Sequence, residues 1–283
     1  MKTAAIDTPM EADNRAPARS RFVADFAELV KARLTLLVLL TTAVGFYLGA
    51  QPPINYFALF HVVFGTAAAA AGAAALNQWW ERRLDALMHR TRTRPVPAGR
   101  MRPVEAFVLG SVLSLFGIGY LLLFCNVLSA VLAAVTIVIY IFGYTPLKRI
   151  TTANTLVGAI PGALPPVIGW TAARGMIEAG AWSLFAILIL WQLPHFFAIA
   201  WMYRDDYARA GFRMISGDDR SGERSVSQSV FFCILLLVVA GLPAFLGITT
   251  LAYLAVTFVL IPSFGGPSGG GEPKEANGTG VSP

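Results

Sequence analysis

From Asn77 to Arg102 the chain reads N-Q-W-W-E-R-R-L-D-A-L-M-H-R-T-R-T-R-P-V-P-A-G-R-M-R, a cationic stretch between two apolar runs long enough to cross a bilayer. Asn77, Glu81 and Asp85 are spaced four apart. If the preceding helix continues through them, their side chains fall along one face, one turn above the next. All three offer oxygen, the donor Mg²⁺ prefers, and three are too few to cage the ion alone. Arg90, Arg92 and Arg94 follow, and Pro95 and Pro97 break the helix. Acidic oxygens beside clustered arginines at a membrane surface fit a Mg²⁺-bound phosphate ligand. Charge alone also fits a solvated inner loop obeying the positive-inside rule. That reading leaves the Asn/Glu/Asp spacing unexplained.

The elements that must position these residues are membrane helices. Of 283 residues 56% are hydrophobic and only 13% charged, with mean hydropathy +0.62. A soluble domain carries about 25% charged residues, so this is an integral membrane protein. Its net charge of +6 sits in loops and calls for no nucleic acid. Cys125 and Cys233 are isolated in or beside apolar runs and read as packing residues. His61, alone in a span, reads as a hydrogen-bonded packing residue.

The expected fold class is all-α: a polytopic transmembrane helical bundle of about eight spans with a cytoplasmic N-terminus. Residues 1–20 read as a disordered cytoplasmic tail, 21–262 as the membrane domain, and 263–283 as a Gly/Pro-rich disordered tail. Arg21 to Arg33 form an amphipathic entry, with Lys31 and Arg33 at the membrane edge. Spans follow at about Leu34–Ala50, Tyr56–Leu76, Val104–Phe124, Val127–Tyr144, Asn154–Trp170, Trp182–Met202 and Val230–Ile248. An eighth, about Thr249–Ile261, is short of the roughly 20 apolar residues a crossing needs. The span Asn154–Trp170 is interrupted by Gly and Pro, which membranes tolerate where protein or a cavity satisfies the backbone. Trp182–Met202 holds Gln192, Pro194 and His195, and polar groups at membrane depth are functional candidates. With the N-terminus inside, the inner loops hold Arg82–Arg102, Lys148 with Arg149, and Arg204–Arg224, whereas the outer loops hold only Arg174.

The third inner loop adds Asp205 and Asp206 just past a helix end. Two carboxylate clusters facing each other across a bundle would hold Mg²⁺ on a diphosphate, with Lys148, Arg149, Arg90 and Arg94 neutralising it. A prenyl diphosphate ionises to an allylic cation and pyrophosphate, and preorganised cations stabilise the charge growing on the leaving group.

N-Q-W-W-E-R-R-L-D-A-L-M-H-R-T-R-T-R-P resembles the first Asp-rich motif of the UbiA superfamily of intramembrane prenyltransferases. It is most similar to the protohaem farnesyltransferase branch, where N-x-x-x-[D/E]-x-x-x-D precedes M-x-R-T-x-x-R-P. Y-T-P-L-K-R and W-Q-L-P-H-F-F-A-I-A-W-M-Y-R-D-D-Y-A-R-A-G-F-R-M also resemble that branch, and the similarity runs from about Leu29 to the eighth span. The resemblance implies Mg²⁺ dependence and transfer of farnesyl from farnesyl diphosphate to a vinyl group of haem b with addition of water. The product would be haem O, destined for haem-copper terminal oxidases. Asn77, Glu81, Asp85 and Asp206 would be the metal and catalytic positions. Arg90, Arg94, Tyr144, Lys148, Arg149, Gln192, His195, Tyr203 and Asp205 would bind substrate. The wider superfamily has D-x-x-x-D in the second motif, and its first position is Met202 here, which leaves Asp205 as a substitute ligand. His195 fits either a haem-iron ligand or porphyrin contact, or a kink-region histidine bonded to a backbone carbonyl. The family has nine spans, and the last has no counterpart ahead of the Gly-rich tail.

Two other functions compete. One is prenylation of an aromatic acceptor, against which W-Q-L-P-H-F argues. The other is a non-enzymatic haem-handling or transport protein. The expected location is the cell inner (cytoplasmic) membrane, with the site facing the cytoplasm and lipid around the bundle. Haem A synthase or oxidase assembly factors would be partners.

Overall fold

The computed structural model describes residues 18–217, 219 and 221–265, which hold helices and no strand. Most of both expected tails lies outside the described residues. In lipid a spanning backbone must satisfy its own hydrogen bonds, and the helix does so within one segment. The helices are α1 (Ala18–Leu29), α2 (Ala32–Gly49), α3 (Tyr56–Asp85), α4 (Pro103–Phe124), α5 (Val127–Val138), α6 (Asn154–Ala163), α7 (Pro165–Arg174), α8 (Ala179–Met202), α9 (Arg204–Arg209), α10 (Glu223–Val239), α11 (Leu242–Phe245) and α12 (Leu251–Gly265). Seven segments have the length and apolarity to cross a membrane. The expected eighth, α12, forms a helix of 15 residues packed on α10.

The helix carrying the first motif is the longest. Asn55 starts α3 by accepting hydrogen bonds from the Phe57 and Ala58 amides (3.1 and 3.0 Å). Its 30 residues extend about 45 Å, beyond the roughly 30 Å hydrocarbon layer. The last turns therefore rise above the apolar slab and carry Asn77, Glu81 and Asp85 with them. Arg82 and Arg83 sit in the final turn, where cations favour the helix dipole.

Small residues let the helices touch backbone to backbone. A Cβ on Gly45 would collide with the Pro166 carbonyl, and one on Gly169 with the Thr42 carbonyl, so α2 and α7 close only with glycine at both positions. Gly72 and Gly117 serve the α3–α4 pair in the same way. Phe46, Val62, Ala69, Ala73, Leu121, Ala130, Ala133 and Ile168 fill the core between these helices.

Three irregularities shape the end that holds the motifs. Lys31, between α1 and α2, has left-handed backbone angles (φ 50°, ψ 54°), rare for a residue with a Cβ. Gln78 of α3 fixes that corner by donating to the Glu28 and Leu29 carbonyls at the end of α1 (2.8 and 3.0 Å). Beyond α5, residues Ile139–Tyr144 form a π-helical turn leading into Thr145–Leu147; such turns recur at functional sites. The expected Gly/Pro-interrupted span splits at Leu164 into α6 and α7 and runs on to Arg174. In the third loop, buried Asp219 accepts from the Ser225 amide and hydroxyl (2.8 Å each), fixing the start of α10.

Candidate active site

Asn77, Glu81 and Asp85 share one face of α3, all at most 3% exposed. Buried carboxylates need partners, and the other loops supply them. Lys148, just after the π-helical turn, donates to both oxygens of Glu81 (2.7 and 3.0 Å). Asn77 donates to Glu81 Oε2 (3.1 Å) and Thr145 Oγ1 (3.2 Å), and its Oδ1 accepts from Lys31 Nζ (2.8 Å). Lys31 also donates to the Tyr140 hydroxyl (3.2 Å). Arg94 pairs with Asp85 Oδ2 at 2.8 Å. The Tyr140 and Tyr144 rings stack (5.8 Å between centroids), and the Lys148 ammonium lies 4.4 Å from the Tyr144 ring centre.

The two lysines respond to this setting in opposite directions. Burial alone lowers Lys148, but the Glu81 carboxylate beside it outweighs that and holds its ammonium above the ordinary value. Lys31 lacks such a tight carboxylate partner. Burial, then the cations of Arg94 and Lys148, push it down to about 7.

The oxygens of this face suit a hard cation. Asp85 Oδ1 is buried and has no hydrogen-bond partner among the described residues, an open acceptor in a cationic surround. No three of His, Cys, Asp and Glu converge as a metal cluster among the described residues. An ion here would take Asp85 Oδ1 and draw the rest of its shell from a ligand, because Asn77 lies two turns, about 12 Å, further down the helix with its only side-chain oxygen held by Lys31.

The remaining expected residues divide. Arg90 lies over the rings of Tyr203 (4.7 Å) and Tyr207 (5.5 Å) and donates to the Tyr207 hydroxyl (3.0 Å). Asp206, 6% exposed, accepts from the backbone amides of His89 and Arg90. Arg149 and Asp205 are exposed, with no side-chain hydrogen bond or ion pair among the described residues. Gln192 is buried and donates to the Leu188 carbonyl (2.9 Å). His195 is exposed and stacked on Trp191 (5.9 Å, 14° between planes), and it makes no hydrogen bond among the described residues. His61, by contrast, bonds the Tyr120 hydroxyl at 2.7 Å, as a packing histidine should.

Sequence reasoning missed Lys31, Tyr140, Thr145 and Tyr207. Tyr140, Tyr144 and Lys148 recur every four residues, a visible helical stripe. Lys31 looked like a membrane-edge charge, and only the left-handed corner turns it inward.

A membrane bundle whose buried acidic helix face is ringed by lysine and arginine suits an intramembrane site for an anionic ligand and a cation. The sequence profile of the UbiA prenyltransferase family matches residues 38–266, and the chain belongs to that family.

Among its relatives, the chain is 45% identical over 245 residues to the protoheme IX farnesyltransferase of Solibacter usitatus, covering 83% of this chain and 84% of that protein. It is 42% identical over 224 residues to the mitochondrial protoheme IX farnesyltransferase of Homo sapiens, covering 79% of this chain and 50% of that one. The fold is that of a UbiA homologue from Archaeoglobus fulgidus bound to DMAPP and Mg²⁺, with TM-score 0.69, 14% identity, and coverage of 85% of this chain and 84% of that one. A UbiA homologue from Aeropyrum pernix gives TM-score 0.70 at 20% identity, covering 82% and 86%.

Proposed function

We propose that this protein transfers a farnesyl group from farnesyl diphosphate to a vinyl group of haem b, with addition of water, yielding haem O and pyrophosphate for haem-copper terminal oxidases. The observation that carries this reading is the buried Asn77–Glu81–Asp85 face ringed by Lys31, Lys148 and Arg94. The names of the relatives support the acceptor, and the prenyl diphosphate and Mg²⁺ in the Archaeoglobus homologue support the donor.

Asp85 would hold Mg²⁺ through its open oxygen, with Glu81 set one turn away by Lys148 and Asn77 positioned beyond it by Lys31. When bound, the ion offsets diphosphate charge. Arg94, Lys148 and Lys31 face the leaving group, and Arg90 guards the loop above. The bond between the farnesyl C1 and the diphosphate oxygen breaks, and its electron pair leaves with pyrophosphate. Fixed cations in a poorly hydrated site stabilise that charge as it forms. The vinyl π electrons of haem attack the allylic cation. Water adds to the resulting cation and loses a proton, which completes the hydroxyfarnesyl side chain.

The exposed Trp191–His195 stack on α8 is the porphyrin contact. Its lack of a hydrogen bond among the described residues favours a ligand role for His195 over a carbonyl-bonded kink residue. The Lys/Arg asymmetry of the loops supports a cytoplasmic side for the N-terminus and the site, in the inner membrane. Haem A synthase or oxidase assembly factors receive the product. Pyrophosphate release from farnesyl diphosphate in the presence of haem b tests the donor half. It should require Mg²⁺, and full activity in excess chelator would contradict the assignment.

A further inference from the structure

Asp206 occupies the second acidic motif, yet its carboxylate is directed at protein. Oδ1 accepts from the His89 amide (3.2 Å) and Oδ2 from the Arg90 amide (3.1 Å), across more than a hundred residues of chain. Arg209, one turn on, donates to the same Oδ1. The neighbouring contacts are continuous with these. Met88 is buried among Ala200, Ala210, Phe212 and Met214. Arg90 is sandwiched by Tyr203 and Tyr207, which flank Asp206 in sequence. On its far side the same loop is tied to the first motif: Thr91 donates to the Asp85 carbonyl (2.8 Å), and Arg94 pairs with the Asp85 carboxylate. The Arg94 amide in turn bonds the Thr91 carbonyl at 3.0 Å.

We propose that Asp206 is a positioning residue: its carboxylate latches the loop 86–94 onto α9 through the His89 and Arg90 amides, and so holds Arg90 and Arg94 over the diphosphate site, in place of ligating a divalent ion. The physical ground is that three of the carboxylate's roughly four acceptor positions are taken, by the His89 and Arg90 amides and the Arg209 guanidinium. Turning the group toward a metal would strip both amides of their acceptor. The latch rests on geometry alone, and its effect on diphosphate chemistry rests on the function proposed above.

Amide hydrogen exchange by mass spectrometry, on the full chain in detergent without metal or substrate, reads the latch directly. Peptides covering residues 86–92 should exchange at least tenfold faster in Asp206→Ala, and to an intermediate degree in Asp206→Asn, which keeps one acceptor oxygen. Exchange in α3 should be unchanged, which also shows that the variants are folded. Unchanged exchange at residues 86–92 in the folded alanine variant overturns the latch. The second measurement is the Mg²⁺ concentration for half-maximal pyrophosphate release. In Asp206→Asn it should stay within twofold of wild type while KM for farnesyl diphosphate rises about tenfold. A tenfold rise in the Mg²⁺ requirement overturns the assignment, whatever the exchange shows. The exchange measurement uses no substrate, so it stands even if the donor or acceptor has been misidentified.

Discussion

Lys148 and Glu81, 67 residues apart in the chain, form a buried ion pair at 2.7 Å with both carboxylate oxygens engaged. The pair joins the end of α3 to the loop after the π-helical turn, and it orients the middle member of the first motif. Removing one partner of such a pair leaves an uncompensated buried charge, which costs roughly 3–5 kcal/mol. Lys148→Met should therefore lower thermal stability in detergent strongly. The double variant Lys148→Met/Glu81→Gln should recover most of the loss while remaining inactive. A single variant as stable as wild type would refute the pairing.

Asp85 carries the open acceptor oxygen, so it should matter to chemistry more than to folding. We expect Asp85→Ala to slow pyrophosphate release by roughly 10²–10³-fold, the scale for losing one preorganised electrostatic contact. Asp85→Asn should raise the Mg²⁺ requirement. Pyrophosphate release at the wild-type rate in Asp85→Ala would defeat the site assignment.

Lys31 predicts a pH dependence whose sign can be worked out. In the ligand-free protein burial and neighbouring cations hold it at about 7. A diphosphate beside it favours the charged form and raises that value. Above pH 7 binding must then take up a proton, so affinity for farnesyl diphosphate should fall as pH rises from 7.5 to 9, by up to about tenfold per unit. Isothermal titration in two buffers of different ionisation enthalpy would detect the uptake. An equal fall in Lys31→Met would show that another group is responsible.

His195 and Trp191 make a prediction about the acceptor alone. His195→Ala should weaken haem binding while leaving farnesyl diphosphate binding within twofold. Titration followed by haem absorption distinguishes the two, and an unchanged spectrum and affinity would remove His195 from the acceptor site.

The parts of the fold governed by local rules were readable in advance. Seven crossings, the α3 stripe of Asn77, Glu81 and Asp85, and the packing role of His61 follow from hydropathy and helical periodicity. What could not be read depends on contacts between segments far apart. Lys31 reads in the sequence as an edge charge, and only the left-handed corner held by Gln78 aims it at Asn77. Asp206 carries the right residue type for a metal ligand, and nothing in the sequence announces the two amides more than a hundred residues away from which its carboxylate accepts. The approach of Gly45 to Pro166 and of Gly169 to Thr42 was equally illegible, because a glycine in a span does not say which helix will approach it. The end of α3 was open until Asp85 proved to be helical, since propensity does not fix a helix terminus to within a turn.

Product analysis tests the central claim most directly. The purified protein is supplied with haem b, farnesyl diphosphate and Mg²⁺, and the pigment is separated by chromatography and weighed by mass spectrometry. The account predicts a haem heavier by one farnesyl group and one hydroxyl, formed together with pyrophosphate. Unmodified haem b from a folded preparation, with a relative from Solibacter usitatus converting it alongside, would contradict the assignment of haem as the acceptor.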